Sequence, residues 1–140
     1  MKKYIFIVSL LCLLAACTGK RQGEAAVEIA ALPAVEDVVM YQVNPRVFAP
    51  EKSFKAVERR LDSIQALGIN VVWFMPINEV GQEKSVNSPY CVKDYKGVNP
   101  EFGTLDEFKA LVATCHQKGM NVIIDWVANH TSWDLSLIHI

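Results

Sequence analysis

Four stretches of the chain carry side chains that a buried core would not select. They are Tyr41-Gln42-Val43-Asn44-Pro45-Arg46-Val47-Phe48, Asn87 to Tyr95, Val98 to Thr104, and Asp125-Trp126-Val127-Ala128-Asn129-His130-Thr131. Asp125 interrupts an apolar run, where an unpaired carboxylate costs on the order of several kcal/mol. It is therefore either one half of a structural ion pair or a group that orients others at a site. His130 brings an imidazole, which taken alone fits a satisfied or exposed histidine as well as a working one. Tyr90 brings an aromatic face and a phenol, and alone fits a packed loop aromatic. Arg46 brings a fixed cation suited to a neighbouring carboxylate.

The elements that must position these groups repeat one unit. Val38 to Val43 is short, β-branched and apolar, and reads as a buried strand. Phe54, Val57, Leu61, Ile64 and Leu67 then recur at steps of three and four, which predicts a single helix ended by Gly68 as a residue free to take positive φ. A second strand is predicted over Asn70 to Met75. Thr104-Leu105-Asp106-Glu107 is a capping box opening a helix whose buried stripe is Phe108, Leu111, Val112 and Cys115. Gly119 ends that helix, and Asn121 to Val127 reads as a third strand. The junction Gly68-Ile69-Asn70 returns as Gly119-Met120-Asn121. Apolar strands separated by amphipathic helices predict parallel βαβ units, whose functional groups gather at the carboxyl ends of the strands.

Composition narrows the partners. The 140 residues are 51% hydrophobic and 21% charged, which excludes a disordered polyelectrolyte. With 14 basic and 15 acidic residues the net charge is -1, so there is no surplus for phosphates and no nucleic-acid partner is expected. The 4 Cys and 3 His are too few and too scattered for a disulfide framework or a zinc module. Length excludes a complete eight-fold βα barrel, which needs about 250 residues.

Met1-Lys2-Lys3 precedes an apolar run from Tyr4 to Ala16. As a helix that run would span about 20 Å, short of a hydrocarbon core of about 30 Å. Residues 1–16 therefore read as a secretory signal rather than a membrane span. Leu14-Ala15-Ala16-Cys17 resembles the bacterial lipobox, which implies lipidation of Cys17 and membrane attachment through that anchor. Thr18, in a place where Asp would retain the protein at the inner membrane, favours by the same resemblance an outer-membrane lipoprotein of the cell envelope, periplasmic or surface-facing. Residues 17–37 read as a flexible tether. Cys91 and Cys115 then remain as two isolated thiols, although an oxidising compartment permits a bridge.

In order and spacing the four motifs resemble the α-amylase family of retaining glycoside hydrolases. Tyr41 to Phe48 resembles its first-strand signature, and Ser88-Pro89-Tyr90 with Asp94-Tyr95 its sugar-platform loop. Val98-Asn99-Pro100 through Gly103-Thr104 follows as in that family, and Asp125 to His130 is similar to its first conserved region. The resemblance implies an α/β fold over residues 38–134, the N-terminal portion (about three βα units) of a TIM (β/α)8 barrel. It implies an α-glucan or malto-oligosaccharide substrate. By the same resemblance Tyr90 stacks on the glucosyl ring at the cleavage subsite and His130 hydrogen-bonds that sugar's primary hydroxyl. Asp125 pairs with an Arg on a later strand and orients groups rather than reacting. Calcium is the one cofactor implied, with Asn129 as a ligand whose oxygen suits that ion. Ala49 to Ser53 is too short for the calcium loop that many members carry after their first strand.

Retaining cleavage needs a carboxylate nucleophile and an acid/base carboxyl about 5 Å apart. The resemblance puts these on later strands, so the nucleophile and the acid/base are expected beyond residue 134 and no catalytic residue within the chain. Asp94 and Asp106 belong to motifs placed elsewhere. Leu135 to Ile140 matches, codon for codon, a translated transposase sequencing adapter, so residues 135–140 are expected to be artefact. The parent protein implied is an α-glucan-active glycosidase. Its rivals are a non-catalytic glucan-binding lipoprotein of the same fold and an inactive truncated product.

Overall fold

The computed structural model describes residues 29–135. The expected signal segment 1–16, the expected lipidation site Cys17, most of the expected 17–37 tether and residues 136–140 lie outside the described residues. Among the described residues, no helix is long and apolar enough to cross a membrane.

After a 3-10 turn at Val35–Asp37, strand β1 runs over Met40–Val43 and leads into a one-turn helix, α1, Pro45–Phe48. Asn44 caps α1 by accepting from the Arg46 amide at 3.1 Å, and Pro45 occupies the first helical position, where its fixed φ suits the start. Helices α2, Ser53–Glu58, and α3, Leu61–Ala66, stand where the periodicity predicts one continuous helix. At the break the Arg60 amide bonds Val57 O at 2.8 Å, three residues back, so the turn tightens locally towards 3-10 geometry. The buried stripe survives this: Phe54, Val57, Leu61 and Ile64 are all buried. Leu67 leaves the stripe. It is the C-cap residue of α3 and is 70% exposed.

Strand β2, Val71–Phe74, is followed by an antiparallel hairpin of β3, Glu79–Val80, and β4, Val92–Asp94. Helix α4, Leu105–Gln117, and strand β5, Asn121–Ile124, complete the order. The capping box forms as expected, with Glu107 N–H donating to Thr104 Oγ1 at 3.1 Å and Thr104 N–H to Glu107 Oε2 at 2.9 Å. Gly68 and Gly119 take φ +80° and +74°, which glycine alone adopts without steric cost.

The main sheet is parallel throughout, in the order β1-β2-β5, with Met40 opposite Val71 and Val71 opposite Asn121. Such parallel strands, β2 beside β1 and β5 beside β2, with helices on one side are what the opening units of a (β/α)8 barrel require. The repeated Asn of the Gly-x-Asn junction has a use at the start of each strand. Asn70 accepts from Val39 N–H at 2.9 Å and donates to Asp37 O at 2.7 Å. Asn121 donates to Ala31 O at 3.1 Å.

Between sheet and helices lies an aromatic core. Phe54 meets Phe102 and Phe108 at centroid distances of 6.1 and 4.9 Å, and Phe108 meets Phe74 edge-on at 5.4 Å. Edge-to-face pairs of this kind contribute about 0.5–1.5 kcal/mol beyond area burial. Cys91 and Cys115 are free thiols, and burial pushes the Cys115 thiol up to about 11. Phe54→Ala is expected to lower unfolding stability by about 3–5 kcal/mol in urea denaturation, whereas Leu67→Ala changes it by less than about 0.5 kcal/mol.

Candidate functional site

The site is built on the carboxyl ends of β2 and β5. Side chains alternate along a strand, so with Val72 and Phe74 fully buried towards the helices, Trp73 projects from the other face. Asp125 is the first residue after β5, not within it, and its amide extends the ladder by bonding Phe74 O at 2.9 Å. That bond sets its carboxylate beside Trp73. The indole Nε1–H donates to Asp125 Oδ1 at 2.8 Å, and the Tyr90 phenol donates to Asp125 Oδ2 at 2.8 Å. A half-buried carboxylate is thus satisfied by two aromatic donors, one from β2 and one from the loop ahead of β4. The bond to Asp125, then burial, then repulsion from its charge hold the Tyr90 phenol above the ordinary tyrosine range, so Tyr90 stays a phenol at neutral pH.

The loop that carries Tyr90 is anchored by Arg46. Its Nη1 donates to Asn87 O at 2.6 Å and its Nη2 to Asn87 Oδ1 at 3.4 Å, so the guanidinium holds backbone rather than a carboxylate. Asn87 sits at φ +57°, a conformation Asn tolerates better than most residues. Asp94 shapes a turn by accepting from Lys96 N–H at 2.8 Å, and Asp106 lies in the first turn of α4.

Tyr90 and Asp125 are therefore brought together, while His130 stands apart from both. His130 is exposed, its Nδ1 lies 3.4 Å from Asn129 Nδ2, and no hydrogen bond joins its ring to Tyr90 or Asp125. Its backbone is held by Tyr95, whose phenol reaches both Val127 O at 2.7 Å and His130 O at 3.0 Å. Asn129 supplies one oxygen, and among the described residues no group of three or more His, Cys, Asp or Glu gathers to hold a metal. These residues alone do not make the six-to-eight-oxygen cage that calcium takes. A cavity of about 310 Å³ beside Asp125 is lined by Ile77, Tyr95, Phe108, Ile124 and Trp126 as well, and does not include Tyr90 or His130.

One contributor, Trp73, is absent from the motifs, and Tyr95 belongs to the loop motif without its phenol's grip on the His130 backbone being read from it. The signal for Trp73 is its type: a half-buried indole needs a partner for its N–H, and a strand end facing the site is where one stands.

The family model described as "Alpha amylase, catalytic domain" matches residues 52–138. Among curated proteins, the amino acid transporter heavy chain SLC3A1 of Rattus norvegicus is 38% identical over 98 residues, which are 66% of this chain and 14% of that protein. The probable oligo-1,6-glucosidase 2 of Bacillus subtilis is 34% identical over 102 residues, 69% of this chain and 18% of that protein. Among solved structures, an alpha-amylase from Lactobacillus plantarum superposes with a TM-score of 0.69 at 41% identity, covering 74% of this chain and 25% of that one. The chain thus spans less than a fifth of those curated relatives.

The Tyr90–Asp125 bond has a spectroscopic consequence. Asp125→Asn weakens the bond the phenol donates and removes the charge that opposes its ionisation, so Tyr90 is expected to ionise at lower pH than in the parent. Ultraviolet absorbance titration, with Tyr90→Phe identifying the band, measures this.

Proposed function

Because the chain belongs to the alpha-amylase catalytic-domain family, we propose that it supplies the opening βα units of a retaining glycosidase acting on α-glucans or malto-oligosaccharides. The observation that carries this reading is the carboxylate of Asp125 fixed at the strand ends between Tyr90 and Trp73. In this reading the ring of Tyr90 stacks against the apolar C–H face of a glucosyl unit, while its hydroxyl stays tied to Asp125. His130 donates to or accepts from the sugar's primary hydroxyl. Asp125 orients and does not attack, since both its oxygens are engaged. The name of the Bacillus subtilis relative, an oligo-1,6-glucosidase, supports the substrate class.

Chemistry requires more than these residues. A nucleophile and an acid/base about 5 Å apart are needed, and in this proposal an Asp and a Glu from a reading frame that continues past Asp134 provide them. Calcium, with Asn129 as one ligand, belongs to the proposal as a structural ion whose other oxygens come from outside the described residues; no step depends on it. Lipidation at Cys17 and a place in the cell envelope, at the outer membrane, complete it.

A second reading is a non-catalytic glucan-binding lipoprotein of the same fold. It is favoured by one observation, that a relative at 38% identity is named as a transporter heavy chain and not as a glycosidase. Presence or absence of the two carboxylates in the frame past Asp134 separates the readings. The 140-residue chain is expected to show no turnover of starch or maltotriose, and measurable release of glucose would contradict the proposed division of labour. In the extended protein, Asp125→Ala is expected to lower kcat/KM by about 100-fold, the scale of loss when reacting groups are misplaced by about 1 Å.

A further inference from the structure

The segment directly after His130 returns to the hairpin that follows Tyr90. Thr131 Oγ1 donates to Val92 O at 2.7 Å, and Ser132 N–H donates to the same oxygen at 3.0 Å. One carbonyl, close behind Tyr90 in the chain, thus takes both lone-pair bonds from the two residues that follow His130. Ser132 is 3% exposed. Asp134 completes the contact, accepting from the Gln82 amide at 2.9 Å through Oδ2 and from Ser132 Oγ at 2.5 Å through Oδ1. These donors hold the Asp134 carboxyl well down, at about 2.

Gly81 makes this approach possible. A Cβ there would lie 2.3 Å from Ser132 Cβ and 2.4 Å from Asp134 Oδ1, so any other residue would force the two segments apart. Gly81 N–H meanwhile bonds Cys91 O at 2.9 Å and keeps the hairpin closed. On the outer side Lys84 Nζ lies 3.6 Å from the centroid of the Trp133 ring. The bonds of Thr131 and Ser132 to Val92 O, the Gln82–Asp134 bond and the Lys84–Trp133 contact join the loop leaving β5 to the hairpin, and none belongs to the Asp125 cluster.

The geometry points to Asp134 as a positioning residue: with Ser132, and through the space left by Gly81, it clasps the His130 loop to the Tyr90 hairpin and sets the separation of those two side chains. That the two residues face a sugar rests on the function proposed above; the clasp itself does not. Tyr95 grips the near side of the His130 loop, and the clasp grips the far side. His130 is exposed and makes no bond to Tyr90 or Asp125, so its placement depends on these two grips on its backbone.

Amide hydrogen exchange by NMR on the 140-residue chain tests this. In Asp134→Ala the Gln82 amide, which loses its bond to a charged acceptor, is expected to exchange about tenfold faster or more, and the Ser132 amide, bonded to Val92 O, is expected to exchange faster as the clasp opens. The amides of Val72 and Val122 in the main sheet should keep their rates, and the His130 ring signals should move. Asp134→Asn, which retains an acceptor, should restore part of the protection. Gly81→Ala should reproduce the loss with Asp134 in place. Unchanged exchange at Gln82 and Ser132 in both Asp134→Ala and Gly81→Ala would overturn the proposal, as would a loss shared equally with Val72 and Val122. Maltotriose titration of the parent reads the sugar assignment separately. If maltotriose moves neither Tyr90 nor His130 while the exchange pattern holds, the sugar reading fails and the clasp stands.

Discussion

A carboxylate set at the end of a buried parallel strand must find donors, and the rest of the site is arranged around how Asp125 finds them. Its amide is placed by Phe74 O, so the register of β5 on β2 decides where the carboxylate points. From that position one oxygen meets the Trp73 indole and the other the Tyr90 phenol. Each bond to a charged acceptor contributes about 1.5–3 kcal/mol, more than a neutral pair. A slip of the sheet by one residue would turn Trp73 to the helix side and leave the carboxylate without its indole partner. The strand register and the site are therefore one constraint.

The sheet meets that constraint through its repeated junctions. Gly68 and Gly119 end their helices in the left-handed region, and Asn70 and Asn121 then tie the starts of β2 and β5 to the segment that precedes β1. The Phe54–Phe102–Phe108–Phe74 cluster packs α2 and α4 against β2, fixing the strands from the helix side. At the opposite end of the strands the loops are held by polar contacts: Arg46 on Asn87, Tyr95 on the His130 backbone, and Asp134 on Gln82. Apolar packing locates the strands, and hydrogen bonds locate the loops.

That division explains what could be read from residue order. The strands, the capping box at Thr104 and the glycine stops at Gly68 and Gly119 are local patterns with their own periodicity or turn chemistry, and they stand where expected. Tyr90 and Asp125, singled out separately by their motifs, meet through a 2.8 Å hydrogen bond. The break at Arg60 was not legible, because a tightened turn leaves the three-and-four spacing of Val57 and Leu61 intact. Nor was the exposure of Leu67, which depends on its falling at the cap. The β3–β4 hairpin, with strands of two and three residues, is too short to alternate. Trp73, Tyr95 and Asp134 act through partners 52, 35 and 52 residues away, and such pairings are set by tertiary contact and carry no local signature.

The indole N–H signals of the three tryptophans provide the most direct test of the Asp125 cluster. Asp125→Ala, followed by NMR, is predicted to shift the Trp73 Nε1–H signal and speed its solvent exchange, leaving those of Trp126 and Trp133 in place. A Trp73 signal that stays where it is in Asp125→Ala, or that moves only together with the other two, would contradict the account.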